Sequence, residues 1–243
     1  MSKDSIARIA LWSGPRNIST ALMYSFAQRE DTKVFDEPLY GYYLKNSTAK
    51  EYHPGSDEVL KTMQTDGQKV VDFMLANSEK PILFFKNMTH HLLDLDRSFM
   101  KDMIHVILTR DPRDMLPSFD KVIKNPSMED VGYQSHIELI DYFEANTIKY
   151  VVLDAKKVLE NPRNVLKQLC EFINIPFDER MLKWKPQQRP EDGIWAKYWY
   201  KSVHNSSGFE KYKPKTEPFP ERLNSLLESC QLYYRKLSEM ALS

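Results

Sequence analysis

The chain has 243 residues, with 34 basic and 34 acidic side chains, 42% hydrophobic residues, 7 glycines and 2 cysteines. A chain of this length can bury enough apolar surface to fold as one large domain, so disordered, collagen-like and disulfide-stapled small proteins are excluded. The zero formal net charge argues against binding nucleic acid or a lipid surface through bulk electrostatics, so any anion site must be local.

The cysteines and the apolar runs bear on the cellular compartment. Cys170 and Cys230 lie in stretches with helical apolar spacing, and no Cys/His cluster offers zinc-ligand spacing, so we predict no metal site and a reducing compartment. No stretch approaches the ~20 apolar residues of a membrane span, and the first apolar run, residues 6–12, is too short for a signal-peptide core. We therefore expect a cytoplasmic protein with no membrane span.

Short apolar runs alternate with longer helical patterns, which is typical of βαβ units that feed a parallel sheet. Near-continuous hydrophobicity predicts buried strands at residues 6–12, 33–35, 81–85, 104–109 and 148–153. Helices are predicted at residues 19–28, 57–77, 113–124, 132–146 and 161–173. The predicted class is therefore α/β, with an open parallel sheet of about five strands and helices on both faces.

The last part of the chain has a different pattern. Residues 184–220 are rich in proline and aromatic residues, and a final amphipathic helix is predicted at 220–242. A long irregular stretch in a compact protein is usually a binding loop or a lid, although a structural wrap around the core is an equal alternative. We predict a single domain over residues 1–243, with a core at about 6–177 and a C-terminal lid and helix at about 178–243.

The first chemical motif is SGPRNIST, residues 13–20, in which a buried strand ends in a Gly-Pro turn just where a helix opens. The free N–H groups and the dipole of the first helical turn favour an anion there. Arg16 adds a fixed positive charge, and Ser19 and Thr20 add hydroxyl donors. The spacing of a Walker A motif is absent. The alternative is an ordinary strand-to-helix turn capped by serine.

A second motif follows the strand at 104–109. Arg110 lies at the carboxyl end of that strand, where ligands bind in open α/β sheets, and Ser118 lies two helical turns further on. We expect Arg110 to face the same crevice as the first turn. The alternative is a local ion pair between Arg110 and Asp111 or Asp114.

With these motifs the chain resembles the sulfotransferases that use 3′-phosphoadenosine 5′-phosphosulfate (PAPS), which have a P-loop nucleotide hydrolase-like fold. In that family a Pro-Lys-Ser-Gly-Thr-Thr segment binds the 5′-phosphosulfate, and an Arg and a Ser eight positions apart bind the 3′-phosphate. Residues 150–177 resemble the family's fifth strand and following helix, so the resemblance spans about residues 6–177. It implies the following cofactor-binding residues: Pro15, Arg16, Asn17, Ile18, Ser19 and Thr20 for the 5′ end, Arg110 and Ser118 for the 3′-phosphate, and Ser206, Ser207 and Gly208 in a late loop.

The sequence departs from the family pattern at two of these places. Arg16 replaces the usual Lys, and because Arg is permanently charged its expected role is electrostatic, not that of a proton donor. The late loop lacks the Arg-Lys-Gly triplet of the animal cytosolic enzymes. No metal is expected, because the cation and the helix N-terminus can absorb the charge on the departing phosphate.

Sulfuryl transfer also needs a base for the acceptor's proton. Glu37, just past the second strand, resembles the catalytic Glu of carbohydrate-directed and some bacterial members. Lys86 ends the third strand, and His90 and His91 follow, but Met88 occupies the position of the family's catalytic His. Glu37 is therefore the first choice and His90 or His91 the alternative. Glu37 could instead be a surface turn carboxylate, and the histidines could merely cap a helix or pair with a nearby Asp94.

Two aromatic clusters are candidates for the acceptor site. Aromatic residues at 40–43 and 195–200 either line an acceptor site or form a peripheral hydrophobic cluster. We expect a small hydroxylated or amine acceptor, and the exposed aromatics and final helix are compatible with a homodimer. The rival functions are a small-molecule kinase that uses Mg-ATP and a non-catalytic protein that binds a nucleotide or a sulfated ligand.

Overall fold

The computed structural model describes residues 6–243, and the predicted domain start at residues 1–5 lies outside this range. Within the described residues, five parallel strands form one sheet in the order β2-β3-β1-β4-β5. The strands are β1 (Ala7–Ser13), β2 (Thr32–Asp36), β3 (Ile82–Met88), β4 (Ile104–Thr109) and β5 (Tyr150–Asp154). The predicted α/β class is confirmed.

Helices cover both faces of this sheet and its carboxyl edge. The α-helices are α1 (Ser19–Phe26), α2 (Tyr40–Asn46), α3 (Ser56–Thr62), α4 (Gly67–Ala76), α5 (Pro112–Phe119), α6 (Met128–Val131), α7 (Tyr133–Ala145), α8 (Ala155–Glu160), α9 (Pro162–Ile173), α10 (Ala196–Trp199), α11 (Lys201–His204) and α12 (Asn224–Met240). Short 3₁₀ turns lie at Thr48–Glu51, Thr89–Leu92, Ser98–Asp102, Glu179–Leu182 and Glu221–Leu223. No helix among residues 6–243 is both long enough and apolar enough to cross a membrane.

Successive side chains of each buried strand point to opposite faces of the sheet, so the hydrophobic core has two parts, one on each face. On β1, Ala10 and Trp12 belong to one hydrophobic cluster, and Ile9 and Leu11 belong to the other. The first cluster includes residues of α4, α5, α7 and α12, and the second includes residues of α1, α8 and α9. Both faces of the sheet are therefore covered, which explains why the strands are nearly continuous in hydrophobicity.

The predicted helix at residues 57–77 is wrong, because the structure has two helices there. Helix α3 ends at Thr62, and Met63 adopts an extended conformation. Asp66 then caps α4, since its side chain accepts a hydrogen bond from the backbone N–H of Lys69. Polar capping thus interrupts a run whose apolar spacing alone reads as one helix. The predicted helix at 113–124 is also too long, because α5 ends at Phe119.

Two features of the fold form a covered crevice at the carboxyl edge of the sheet. Strand β1 is central, with β3 on one side and β4 on the other, so the strand order reverses at β1 and opens a crevice beyond its carboxyl end. Residues 184–220, predicted to be irregular, contain the short helices α10 and α11 and cover this crevice. We call residues 193–215 the lid.

Candidate functional site

The turn after β1 is held in a specific conformation by its neighbours. Gly14 is required, because a Cβ at this position would lie 2.6 Å from the carbonyl oxygen of Val131. Arg16 adopts the left-handed conformation, with φ of 49°. Asn17 donates a hydrogen bond to the carbonyl of Leu108 at 3.0 Å, which fixes the turn to the adjacent strand β4. No side chain caps α1, so the first N–H groups of this helix remain available to a ligand.

Arg16, Arg110 and Ser118 come together at this turn, although Arg16 and Ser118 are 102 residues apart in the chain. The guanidinium of Arg16 donates to Ser118 Oγ at 3.0 Å and to the backbone carbonyl of Trp199 at 2.9 Å. Arg110 donates to the backbone carbonyl of Arg16 at 3.0 Å. The two sequence motifs therefore contribute to one group of residues.

The two guanidinium groups form a local positive centre. Burial lowers the pKa of Arg16, and the nearby charge of Arg110 lowers it further. Over residues 6–243, neither arginine is in an ion pair with a carboxylate, so the alternative pairing of Arg110 with Asp111 or Asp114 does not form. Two adjacent cations without a counterion are suited to bind an anion.

A cleft of about 370 Å³ extends from this positive centre along the lid. Its volume lies within the roughly 300–1,000 Å³ of ligand sites. Of the predicted cofactor-binding residues, these line the cleft: Arg16, Asn17, Ile18, Thr20, Arg110, Ser118, Ser206 and Gly208. Pro15 and Ser19 line a neighbouring cavity, and Ser207 lines neither space. The backbone carbonyl of Ser207 instead accepts a hydrogen bond from Trp184.

The cleft is also lined by three lysines that were not predicted from the sequence. Lys211, Lys213 and Lys215 all line the cleft with Arg110. Lys215 donates to the backbone carbonyl of Asp114 at 2.5 Å, and its pKa is lowered by burial and then by Arg110. The alternating lysines of the sequence KYKPK, residues 211–215, were the signal that could have identified them.

The second centre consists of a buried lysine shared by two carboxylates. The β2–β3 register pairs Asp36 with Lys86, and Glu37 follows directly. Lys86 Nζ lies 2.8 Å from Asp36 Oδ1 and 2.5 Å from Glu37 Oε1. Lys86 is fully buried and Glu37 is 6% exposed, so Glu37 is not a surface turn carboxylate.

The lid completes this centre through Tyr200. The Tyr200 hydroxyl lies 2.8 Å from Asp36 Oδ1 and 2.5 Å from Lys86 Nζ. Two more lid residues contribute, because the backbone N–H of Gly193 donates to Asp36 at 2.9 Å and the indole of Trp195 donates to Tyr200 at 3.1 Å. Asp36 and Tyr200 were missed, since Tyr200 reaches Asp36 across 164 residues and only the folded lid brings them together.

Burial and the shared lysine set the protonation of this centre. Burial raises the pKa of Glu37, Lys86 opposes this shift and the charge of Asp36 adds to it, with a net upward result. Burial lowers the pKa of Lys86, but Asp36 and Glu37 outweigh burial and the net shift is upward. Lys86 is therefore an ammonium at neutral pH, and Glu37 is a stronger base than an exposed glutamate.

The histidines beside this centre are uncharged at neutral pH. Burial lowers the pKa of His90 to about 3 and that of His53 to about 4, and the pKa of His91 is also well below its usual value. The Nδ1 atoms of His90 and His91 are buried without a hydrogen-bond partner. Among residues 6–243, neither histidine caps the turn at Thr89–Leu92 or pairs with Asp94, so the predicted alternative does not form.

A cavity of about 90 Å³ lies between these groups and the lid. It is lined by Pro15, Arg16, Asn17, Ser19, Thr20, Glu37, Tyr40, His53, Lys86, Met88, His90, His91, Phe119, Trp195, Trp199 and Tyr200. The cavity and the larger cleft share five lining residues, namely Arg16, Asn17, Thr20, Trp199 and Tyr200. The two spaces therefore adjoin along these residues, of which Arg16 is the charged one. Over residues 6–243, no group of three or more His, Cys, Asp or Glu side chains is arranged to bind a metal ion.

Comparison with known proteins identifies the family. A family model described as a sulfotransferase domain matches residues 7–241. The chain belongs to the sulfotransferase family. Solved sulfotransferases share its fold at low sequence identity: a sulfotransferase domain from the curacin biosynthetic pathway has a TM-score of 0.57 and 16% identity, covering 94% of this chain and 98% of that one. A sulfotransferase from Alicyclobacillus acidocaldarius has a TM-score of 0.56 and 10% identity, covering 98% of both chains.

Two curated relatives of this sulfotransferase-family chain come from Arabidopsis thaliana. Branched-chain-amino-acid aminotransferase-like protein 2 is 38% identical over 231 residues, which cover 94% of this chain and 41% of the relative. Branched-chain-amino-acid aminotransferase-like protein 1 is 41% identical over 225 residues, which cover 91% of this chain and 40% of the relative. The chain thus spans about two fifths of the length of these relatives.

Proposed function

We propose that the chain is a PAPS-dependent sulfotransferase that transfers a sulfuryl group to a hydroxyl or amine of a small-molecule acceptor. The observation that carries the proposal is that Arg16 lines both the cleft and the adjoining cavity, with the buried carboxylate of Glu37 on the cavity side. A donor site and an acceptor site that share one cation are the arrangement an in-line transfer requires.

The cleft residues fit an adenosine carrying phosphates at both ends of its ribose. Arg16, Thr20 and the free N–H groups at the start of α1 suit the 5′ end, and Ser19 adds a buried hydroxyl beside them. Arg110 and Ser118 suit the 3′-phosphate, and Lys211, Lys213 and Lys215 line the same cleft. The two unpaired guanidiniums support this fit, because a bound anion would offset their mutual repulsion.

The proposed reaction uses one residue from each centre, with Glu37 as the base and Arg16 as the cation that stabilises the leaving group. PAPS supplies an activated sulfuryl group attached to a phosphate leaving group. Glu37 accepts the proton of the acceptor while the acceptor oxygen or nitrogen bonds to sulfur and the bond from sulfur to the phosphate oxygen breaks. Arg16 stabilises the charge that develops on that phosphate oxygen. Lys86 and Asp36 orient Glu37, and the neutral His90 and His91 are the alternative bases.

Labelled PAPS tests this function directly. Incubation with a pool of small alcohols, phenols and amines should transfer the ³⁵S label to an acceptor and release adenosine 3′,5′-bisphosphate. Arg16→Ala should reduce the transfer at least about a hundredfold, the usual cost of losing one charge-stabilising donor, whereas the exposed control Arg163→Ala should not. Transfer of a phosphoryl group from Mg-ATP instead would contradict the proposal and favour a kinase.

A further inference from the structure

The hydroxyl of Tyr200 uses its full hydrogen-bonding capacity beside the two buried carboxylates. A phenol offers one O–H donor, and its oxygen can accept hydrogen bonds. The oxygen accepts from Lys86 Nζ at 2.5 Å and from the indole N–H of Trp195 at 3.1 Å. The O–H faces both carboxylate oxygens of Asp36, each at 2.8 Å. Burial, and then the charge of Asp36, hold the pKa of Tyr200 well above its ordinary value, so the hydroxyl stays neutral and can donate.

The ammonium group of Lys86 is also fully bonded, and Tyr200 takes one of its donors. An ammonium group has three N–H donors and no acceptor. Nζ lies 2.8 Å from Asp36 Oδ1, 2.5 Å from Glu37 Oε1 and 2.5 Å from the oxygen of Tyr200. Each donor therefore has one acceptor. Because a buried donor without a partner is costly, the Tyr200 oxygen fixes the direction of the two donors that bind the carboxylates.

The two carboxylates are bonded unequally. Asp36 accepts from Lys86 at Oδ1, from the Tyr200 hydroxyl, and at Oδ2 from the backbone N–H of Gly193 at 2.9 Å. Glu37 is bonded only at Oε1, by Lys86 and, at 3.4 Å, by Tyr200. Within the part of the chain that the structure describes, Glu37 Oε2 accepts no hydrogen bond. Glu37 lines the cavity and Asp36 does not, so Oε2 is the oxygen available to a group bound there.

We propose that Tyr200 is a positioning residue that makes Glu37, and not the neighbouring Asp36, the base, an inference that rests on the proposed function. Its hydroxyl saturates Asp36 and holds the third donor of Lys86. Oε2 of Glu37 is thereby left to take the acceptor's proton, while the acceptor bonds to sulfur and the bond from sulfur to the phosphate oxygen breaks. Tyr200 lies where α10 ends and α11 begins, so the folded lid supplies this group.

Several groups influence the protonation of Glu37, and the contribution of Tyr200 has a definite sign. Burial raises the pKa of Glu37, Lys86 lowers it, Asp36 raises it and the Tyr200 hydroxyl lowers it. The titratable and charged groups that face Glu37 or its cavity are Asp36 on β2, Lys86 on β3, Tyr40 on α2, Arg16 after β1, the neutral His53, His90 and His91, and Tyr200 of the lid. Removal of the Tyr200 hydroxyl alone should therefore raise the pKa of Glu37.

Tyr200→Phe removes only this hydroxyl and should move the acid limb of the kcat–pH profile to higher pH by about half to one unit. Glu37 loses a donor, and Lys86 is drawn toward the less saturated Asp36, so both effects have the same sign. The ring remains and keeps its contact with Lys86, at 4.9 Å. Tyr198→Phe, at a 41% exposed position of the same lid, should leave the limb unmoved. A limb that stays in place or moves to lower pH in Tyr200→Phe would overturn the proposal.

A second variant keeps the hydroxyl and covers the case in which Tyr200→Phe does not fold. Replacement of Tyr200 by a tyrosine fluorinated next to the hydroxyl makes the O–H a stronger donor and the oxygen a weaker acceptor. Asp36 is then better stabilised and more of Lys86 is left to Glu37, so the acid limb should move to lower pH. No movement of the limb, or movement to higher pH, would contradict the proposal.

Direct titration of Glu37 separates failure of this role from failure of the proposed function. In protein labelled with ¹³C-glutamate, the Glu37 carboxyl signal is identified by its loss in Glu37→Gln, and its pKa is measured without turnover. A higher Glu37 pKa in Tyr200→Phe, with no sulfuryl transfer by the wild type, would support the positioning role and contradict the transferase. Transfer by the wild type, with an equal Glu37 pKa in Tyr200→Phe, would support the transferase and contradict the positioning role.

Discussion

At the residue scale, the base strength of Glu37 depends on the two groups that share its environment. Lys86 bonds to both Glu37 and Asp36, so one ammonium charge is divided between two buried carboxylates. The further groups that face Glu37 are the hydroxyl of Tyr200, at 3.4 Å, and the ring of Tyr40. We therefore propose that Asp36 positions Glu37 through Lys86, and its charge also raises the pKa of Glu37.

Asp36→Asn should move the acid limb of the kcat–pH profile to lower pH. Glu37 must be deprotonated to act as a base, so activity rises with pH through its pKa, which is raised by burial and then by Asp36 against the opposing effect of Lys86. Removing the charge of Asp36 leaves Lys86 to Glu37 alone and lowers that pKa. The exposed control Asp141→Asn should leave the limb unmoved. An unshifted limb in Asp36→Asn would contradict this role.

Glu37→Gln should lower kcat by about 10²–10⁴-fold, the usual contribution of a general base. Its affinity for adenosine 3′,5′-bisphosphate should remain near that of the wild type, because Glu37 lines the smaller cavity and not the cleft. The matched control is Glu228→Gln on the exposed face of α12. Calorimetry and steady-state kinetics measure the two quantities. Near-normal kcat would exclude Glu37 as the base and leave His90 or His91 in that role.

At the scale of elements, we expect the lid segment with Lys211, Lys213 and Lys215 to bind the 3′-phosphate. Lys213→Ala should weaken binding of adenosine 3′,5′-bisphosphate several-fold, up to about tenfold, because an exposed charge pair contributes up to about 1 kcal/mol and a charge-assisted hydrogen bond somewhat more. Binding of adenosine 5′-monophosphate should change much less. Lys185→Ala, an exposed lysine outside the cleft, is the control. An equal loss for both nucleotides would show that Lys213 does not contact the 3′-phosphate.

The elements also show how far the sequence determines the fold. Apolar runs identified all five strands of the described sheet. The helix predicted at 161–173 is also present, because Asn161 caps α9 and Pro162 takes its first position. The break between α3 and α4 was missed, because apolar spacing continues across it. Helices α10 and α11 were missed as well. They have four residues each, too few for a periodic pattern, and tertiary contacts hold them.

The sequence also predicts only the part of the site that does not depend on how the lid folds. The residues of the two strand-end motifs could be found because parallel strands bring their carboxyl ends to one edge. Lys86 could be singled out because a charge on an apolar strand is unusual. Tyr200 could not be connected with Asp36, because that contact depends on how the lid folds back over the sheet.

At the scale of the whole molecule, α12 closes one face of the sheet. Leu237 is fully buried in the cluster on that face, and the chain end then runs beside β5, where Leu242 donates to Val152 at 3.0 Å. Leu237→Ala should lower the free energy of unfolding by about 2–5 kcal/mol. Leu232→Ala, at a 63% exposed position of the same helix, should change it by no more than about 0.5 kcal/mol. Chemical denaturation measures both, and equal losses would contradict this packing.

The proposed cofactor site is the cleft, which we expect to bind a nucleotide with phosphates at its 3′ and 5′ positions. Isothermal calorimetry with adenosine 3′,5′-bisphosphate, on the wild type and on Arg110→Ala, measures this binding, with Mg-ATP as the competing ligand. We expect micromolar or tighter binding to the wild type, a loss of at least about tenfold in Arg110→Ala, and no comparable affinity for Mg-ATP. No binding of the bisphosphate, or a clear preference for Mg-ATP, would show that the cleft is not a PAPS site.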